Sequence, residues 1–373
     1  MELSSEDALR LNVLLANKPL AIRIHESNMT LHGLLAESEV TVKLNPVGRD
    51  EHYLRSVRSF LSERALGNPG GYPLYLQRWT RQGQMREDSL EQLLLLGEPT
   101  AVFAVVCAEG LTDELARRAW WSVEEAENAR CMLETEAVVK GKTGPLLASY
   151  LIDYLPFEIE PETMVDSVSK ALQPGLLDDA VRRSLWKRAA RKTAYLVGFI
   201  AACPDDLPET LPARGDYNEY WEKLRPLADT GNSVALLLLK LLSGQGQSYL
   251  DTCQRILNKP STQDVVNTTL DLIRNYFSAL RPEGNPDVPI EVLIGESPGM
   301  IAHSKEANTC LKIMPTLMRE LEAMTILSGL GFGVLRPALK GSDAMGSLMR
   351  KKLVPVLTPI KERIALLRAI HNV

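Results

Sequence analysis

The stretch that decides the fold is PTAVFAVVCAEGLTDELARRAWWSVEEAENARCMLE, residues 99–134. Thr112 and Ser122 are predicted N-cap residues, and Glu125, three positions after Ser122, completes a capping box. Short helices joined by minimal turns are typical of an antiparallel helical array or an irregular solenoid. The pattern predicts helices over residues 99–108, 112–121 and 123–134.

Most of the remaining chain is also predicted to be helical, and the exception lies near the N-terminus. Val40, Val42 and Leu44 alternate with polar residues, which is the period of a β-strand. Two short segments before them, residues 20–24 and 29–34, complete a predicted antiparallel meander. The predicted fold class is therefore mainly α, an irregular, solenoid-like helical array with a small N-terminal β meander. No fixed sequence period supports a standard repeat family.

A Pro-rich stretch, residues 204–216, predicts a linker between two domains. Residues 1–203 are predicted to hold the first helix, the meander and the helical array. Residues 217–373 are predicted to form a C-terminal helical domain. Within that domain, residues 281–299 contain four prolines and are predicted to form a long exposed loop.

Composition and cysteine usage limit the functional classes. The 373 residues carry 42 Lys and Arg against 47 Asp and Glu, a formal charge of −5, which argues against a dedicated nucleic-acid-binding protein. The acidic N-terminus lacks the apolar core of a secretion signal, and the apolar runs are far shorter than the roughly 18 residues of a membrane span. The five scattered cysteines fit neither a disulfide framework nor a zinc site. Three of them, Cys107, Cys131 and Cys203, lie in or beside apolar runs and are predicted to be buried thiols in a reducing cytoplasm. The other two are Cys253 and Cys310.

The sequence predicts no cofactor, no metal and no catalytic residue. Gly141-Lys142-Thr143 resembles the end of a phosphate-binding loop, but Glu136 takes the place of the first glycine, where a carboxylate repels phosphate. We interpret this tripeptide as a tight turn that leads into the helix at Pro145. Cysteines are not grouped as cluster ligands, histidines lack metal spacing, and no serine lies in a nucleophile elbow. The sequence therefore favours a non-enzymatic function over catalysis.

Two clusters combine arginine with tryptophan. These residue types contribute much of the energy of protein interfaces, and an arginine can stack on a tryptophan ring. Adjacent helical residues diverge by about 100°, so one of Trp120 and Trp121 is expected to point away from the local core. Two interpretations stay open. In the first, the clusters form a surface that contacts a partner or binds an anion. In the second, the tryptophans are buried between helices and the arginines pair with glutamates. The candidate residues are Arg78, Trp79, Arg81, Arg86, Arg117, Trp120 and Trp121.

A second candidate surface lies on one predicted helix. Arg183, Lys187 and Arg191 are four residues apart and share one face, which we call the basic face. A positive helix face attracts phosphates, RNA or an acidic partner. The alternative, which the acidic net charge favours, is a solvated amphipathic helix balanced by Asp178 and Asp179.

Several segments also carry a resemblance to a known family. They are ALRLNVLLAN at 8–17, PGGYP at 69–73, RWTR at 78–81, GEP at 97–99, GLTDELARRAWW at 110–121 and QPGL at 173–176. In their order they resemble the DsrS family, which is encoded with the dissimilatory sulfur-metabolism (dsr) genes of sulfur-oxidising bacteria. The resemblance is strongest over residues 1–200. It implies a cytoplasmic accessory protein of sulfur oxidation and carries over no catalytic residue.

Three functional hypotheses follow. The first is an accessory or regulatory protein of dissimilatory sulfur oxidation that acts through protein–protein interaction and has no redox cofactor of its own. The second is an enzyme or sensor that binds a small anionic sulfur compound or phosphate near Arg78, Arg81 and Arg86. The third is an RNA-binding regulator that uses the basic face. The sequence leaves the oligomeric state open.

Overall fold

A computed structural model describes residues 3–66, 87–281, 288–339 and 346–368. The described residues form twenty α-helices and one small antiparallel sheet near the N-terminus. The mainly α fold class with an N-terminal β meander is confirmed. Arg78, Trp79, Arg81 and Arg86 lie outside the described residues.

The chain divides into two compact units. The first comprises Met1–Pro156 and Gln173–Leu177, and the second comprises Phe157–Leu172 and Asp178–Val373. The Pro-rich stretch 204–216, which was predicted to be a linker, lies within the second unit. Hydrogen bonds hold it there, from the Leu211 amide to Ser248 Oγ at 2.8 Å and from the Arg214 amide to the Leu242 carbonyl at 2.9 Å.

The sheet of the first unit has the order β1 (Ala21–His25), β2 (Thr30–Leu34), β3 (Glu39–Lys43). Both pairings are antiparallel, with Ala21 opposite Leu34 and Thr30 opposite Lys43. The strands lie within one residue of the predicted positions, because alternating apolar residues mark the face that must be buried. Apolar side chains of the first two helices and of the sheet form one core cluster, which includes Leu11, Leu14, Ile22, Leu31, Val57 and Leu61.

The remaining helices of the first unit are short. Thr112 is an N-cap as predicted, since its hydroxyl accepts the Leu115 amide at 3.2 Å. The predicted Ser122 cap is wrong, because the preceding helix continues through Ser122, whose hydroxyl donates to the Arg118 carbonyl at 3.1 Å. The described helices are α1 (Ser5–Ala16), α2 (Asp50–Leu66), α3 (Glu87–Leu93), α4 (Pro99–Val106), α5 (Asp113–Ser122), α6 (Ala126–Met132), α7 (Glu136–Val139) and α8 (Thr143–Tyr154).

The regular elements in the described part of the second unit are all helices. Helices adjacent in the chain often pack against each other, as α12 does on α13 and α13 on α14. The described helices are α9 (Pro161–Ala171), α10 (Asp179–Ala189), α11 (Thr193–Ala202), α12 (Tyr217–Asp229), α13 (Ser233–Leu242), α14 (Gly244–Asn258), α15 (Gln263–Tyr276), α16 (Ile290–His303), α17 (Lys305–Ile313), α18 (Met318–Leu327), α19 (Phe332–Leu339) and α20 (Gly346–Leu367).

The predicted loop at residues 281–299 is wrong over its second part, where α16 begins at Ile290 and contains Pro298. A proline inside a helix leaves the carbonyl four residues earlier without its amide donor. Here the Ser297 hydroxyl donates to that carbonyl, Ile294 O, at 2.9 Å. Buried Leu293 and Ile301 supply the packing that sustains the helix despite the proline.

A buried charge network anchors the end of the Pro-rich stretch. The Arg214 side chain is 2% exposed, and its Nε and Nη2 donate to the two Asp216 carboxylate oxygens at 2.6 and 2.9 Å. Arg214 Nη2 also donates to Glu320 Oε1 at 3.2 Å. The Tyr220 hydroxyl donates to the same Glu320 oxygen at 3.3 Å, and its ring centroid lies 5.0 Å from the guanidinium carbon.

The buried-thiol prediction is wrong for two of the three cysteines to which it applies. Cys107 and Cys131 form a disulfide in the first unit, between the end of α4 and α6, and Cys107 is exposed. The spacing of 24 residues carries no motif, so only the packing of these short helices brings the pair together. Cys203 is a free thiol, as predicted, but only half-buried, and Cys253 and Cys310 are buried free thiols.

No described helix combines the length and the apolar character needed to cross a membrane.

Candidate functional site

The described part of the Arg–Trp clusters is engaged in contacts inside the first unit. Trp120 is 8% exposed and packs edge-on against Tyr150, with ring centroids 4.7 Å apart. Trp121 is half-buried, and its Nε1 donates to Glu39 Oε1 at 2.6 Å. The Arg23 guanidinium carbon lies 4.6 Å from the Trp121 ring centroid. Both tryptophans thus hold α5 to neighbouring elements of this unit.

Arg117 belongs to a carboxylate clamp on the same helix. Its Nε and Nη2 both donate to Glu114 at 2.7 Å, and Arg118 Nε donates to Glu114 at 2.8 Å. The hydrogen bonds from Arg117, opposed by burial and assisted by Arg118, lower the pKa of Glu114 to about 2. Arg118 also pairs with Glu91 at 2.9 Å. The arginines here pair with glutamates, as the second sequence interpretation predicts.

The Gly141-Lys142-Thr143 turn holds a carboxylate of its own chain. The amides of Lys142 and Thr143 each donate to Asp113 at 3.0 Å, at the start of α8. A Cβ on Gly141 would lie 2.2 Å from the Asp113 carboxyl carbon, so only glycine fits this approach. The turn leads into a helix as predicted, and Asp113 occupies the place that an anion takes at a helix N-terminus.

The basic face lies on the surface of the second unit. Arg183, Lys187 and Arg191 are all exposed, and none of them forms an ion pair with another described residue. On the same helix, α10, Arg182 is paired with Asp206 at 2.8 Å and with Asp179 at 3.7 Å. Arg183 and Lys187 lie on α10 as predicted, with charges that the described chain does not neutralise, whereas Arg191 follows the end of the helix at Ala189.

An aromatic side chain on α10 is already in use. Trp186 packs edge-on against Phe199 with centroids 4.9 Å apart, and its Nε1 donates to Glu209 at 3.3 Å. The Arg255 guanidinium carbon lies 5.8 Å from its ring centroid. Trp186 thus contributes to the fold and is no free stacking platform.

Arg191 also lines a cavity of about 320 Å³ in the second unit, which we call the cationic cavity. Four side chains that line it are positively charged, and they come from three separate parts of the sequence. Sequence reasoning found Arg191 and missed Lys259 and Arg350, because their distance along the chain gives no local signal. The lining includes Arg191, Lys192, Thr193, Lys259, Ser261 and Arg350.

Two larger cavities of the second unit lack this excess of positive charge. A cavity of about 440 Å³ is lined by Arg319 and Arg363 together with Glu322 and Glu362, so its formal charges balance.

The other, of about 790 Å³, is lined by His303, Ser233 and Glu306 among others. The hydroxyl and amide of Ser233 both donate to the Glu306 carboxylate, which satisfies the first amide of α13 beside the Asn232 N-cap. His303 Nδ1 lies 2.6 Å from the Gly299 carbonyl oxygen. These contacts serve helix ends and set up no nucleophile.

Within the described residues, no group of three or more His, Cys, Asp or Glu side chains could hold a metal ion. No protein-family model, curated protein or solved structure matches this chain.

Proposed function

We propose that this protein is an accessory or regulatory protein that binds an acidic segment of a partner protein through the basic face. The segments that resemble the DsrS family support dissimilatory sulfur oxidation in the cytoplasm as the setting. In this role the protein contributes binding and carries no redox cofactor of its own.

The observation that carries the proposal is the unneutralised charge of the basic face. Arg182, on the same helix, pairs with Asp206, and Lys223 on α12 pairs with Glu219. Arg183 and Lys187 are exposed on the same helix as Arg182 and have no such partner among the described residues. Complementary charge speeds association and fixes orientation, so an acidic segment is the occupant that this face selects.

An acidic protein segment is favoured over RNA by two observations. Proteins that bind single-stranded RNA stack bases on free aromatic rings, and Trp186 on this helix is packed against Phe199. The chain also carries a net charge of −5, whereas nucleic-acid-binding proteins usually carry a basic surplus.

A direct test measures binding of a fluorescein-labelled peptide of eight glutamates by anisotropy, in parallel with a labelled oligouridine. The wild type is expected to bind the peptide, with affinity that falls as salt rises. The double variant Arg183→Glu, Lys187→Glu is expected to lose this binding. The matched control Lys223→Glu, Arg225→Glu changes the net charge equally on the exposed side of α12 and is expected to retain it. Equal loss in both variants, or tighter binding of oligouridine, contradicts the proposal.

The cellular setting is tested with the same variants as affinity baits in cells grown on reduced sulfur compounds. A partner that is recovered with the wild type and the control, and lost with Arg183→Glu, Lys187→Glu, supports the proposal. Absence of any reproducible partner counts against it.

A further inference from the structure

We propose that the cationic cavity binds a tetrahedral oxyanion with two negative charges, a phosphate or sulfate-type group, either free or as a monoester. This inference goes beyond the proposed function, because it concerns a small ligand and rests mainly on residues outside the basic face. Only Arg191 belongs to both.

The first argument is the concentration of like charge. Arg191 and Lys192 lie between α10 and α11, Lys259 follows α14, and Arg350 lies on α20. All four line the cavity, and none forms an ion pair with another described residue. Like charges in one site repel each other, and an anion bound among them relieves that repulsion.

No lining residue of the cavity is acidic. Two carboxylates flank Pro161, which lines the cavity, and neither is a lining residue. Of these, Glu162 accepts the Thr262 hydroxyl through its Oε1 at 2.9 Å.

The second argument is the position of individual donors. Arg350 Nη1 donates to the Pro260 carbonyl at 3.4 Å, and its other N–H groups form no hydrogen bond or ion pair with a described residue. Ser261 Oγ is buried and has no hydrogen-bond partner among the described residues. A buried hydroxyl without a partner is costly, and rotation of the Ser261 side chain toward the cavity would let it donate to a ligand oxygen.

The third argument comes from the helix that starts at the cavity. Helix α11 begins at Thr193, a lining residue, and no side chain caps its first turn. The first amides of a helix lack intrahelical acceptors and attract anions. At α8 the chain fills such a position with its own Asp113 carboxylate, whereas the cavity at the start of α11 is lined by four cations and by no carboxylate.

The walls define the ligand class further. Apolar side chains of Pro161 and Met164 also line the cavity, next to the cations. A free oxyanion satisfies the charged donors alone, while a monoester would also place its organic group on these apolar side chains. Both sources share the same tetrahedral anionic group, and the test separates them.

Isothermal titration calorimetry with four probes tests the inference: inorganic phosphate, sulfate, thiosulfate and phenyl phosphate. Saturable binding at one site per chain is expected for at least one probe, and tighter binding of phenyl phosphate than of phosphate identifies the monoester. Arg350→Ala is expected to raise the dissociation constant at least about tenfold, because a hydrogen bond to a charged group is lost. The matched control Lys351→Ala removes an exposed cation that does not line the cavity and is expected to bind as the wild type does.

The inference is overturned if no probe binds saturably, if Arg350→Ala binds unchanged, or if Lys351→Ala weakens binding equally. Should Arg350→Ala fail to fold, Lys259→Gln provides the same test at an exposed side chain. The variant Arg183→Glu, Lys187→Glu separates the two proposals. If this variant no longer binds the glutamate peptide but still binds the oxyanion, both proposals are supported. If the wild type fails to bind the glutamate peptide, only the proposed function is refuted. If the wild type fails to bind every oxyanion probe, only the cavity proposal is refuted.

Discussion

Removal of the buried cation at Arg214 is expected to destabilise the second unit strongly. Arg214→Ala leaves the Asp216 and Glu320 carboxylates, whose side chains are 21% and 12% exposed, without their guanidinium. Burial opposes the charge on Arg214, and the hydrogen bond to Asp216 with the nearby carboxylates still raises its pKa. Breaking a buried ion pair from one side costs about 3–5 kcal/mol.

This cost is large against the roughly 5–15 kcal/mol by which a domain is stable. Urea unfolding followed by circular dichroism measures it, and hydrogen exchange of peptides from α12 and α18 shows whether the loss lies in the second unit. The control Lys223→Ala removes an exposed cation that pairs with Glu219 at 2.7 Å, and we expect it to cost less than about 1 kcal/mol.

The double variant Arg214→Ala, Glu320→Gln tests the cause. Arg214→Ala leaves two carboxylates uncompensated, and Glu320→Gln removes one of them. The double variant is therefore expected to lose less stability than the sum of the losses in the two single variants. A cost below about 1 kcal/mol for Arg214→Ala, or strict additivity in the double variant, refutes the reasoning.

Three further predictions concern other contacts. Asp113→Ala removes the acceptor of two amides at the start of α8 and is expected to cost about 1–2 kcal/mol in urea unfolding, and an unchanged midpoint contradicts this. Because its folded pKa is about 2 against an ordinary 4.5, Glu114 stabilises the fold above pH 4.5 and loses this contribution as pH falls towards 2. Between pH 4.5 and pH 2, Glu114→Gln should therefore lose less stability than the wild type does, and a larger loss in the variant contradicts this prediction. Burial raises the pKa of Cys253 to about 12 and of Cys310 to about 11, so iodoacetamide at pH 8 should leave both thiols unlabelled until the chain unfolds, and rapid labelling by mass spectrometry contradicts this.

The elements that could be predicted from the sequence are those with a local cause. Period-two alternation located β3 to within a residue, and Thr112 marked the start of α5 through its own hydroxyl. Helix α16 was missed because Pro298 reads locally as a helix breaker, while the buried Leu293 and Ile301 that sustain the helix depend on tertiary packing.

The candidate sites divide in the same way. The placement of Arg183 and Lys187 was predictable, since residues four apart share one side of a helix whatever surrounds it, whereas α10 ends at Ala189, before Arg191. The lack of ion pairs between the basic face and other described residues was not predictable, and neither was the meeting of Arg191 with Arg350. Both depend on how α10, α11 and α20 pack, and no single segment encodes that.

The Cys107–Cys131 crosslink gives the first unit a dependence on its surroundings that the second unit lacks. The bond closes a loop with a sequence separation of 24, and loss of chain entropy in the unfolded state is worth about 3.5 kcal/mol for such a loop. In a reducing compartment the same residues exist as thiols and this contribution disappears. The cysteines of the second unit are all free thiols, so its stability is expected to be the same in either compartment. The survival time of the first unit against proteases would thus record the redox state of the compartment, while that of the second unit would not.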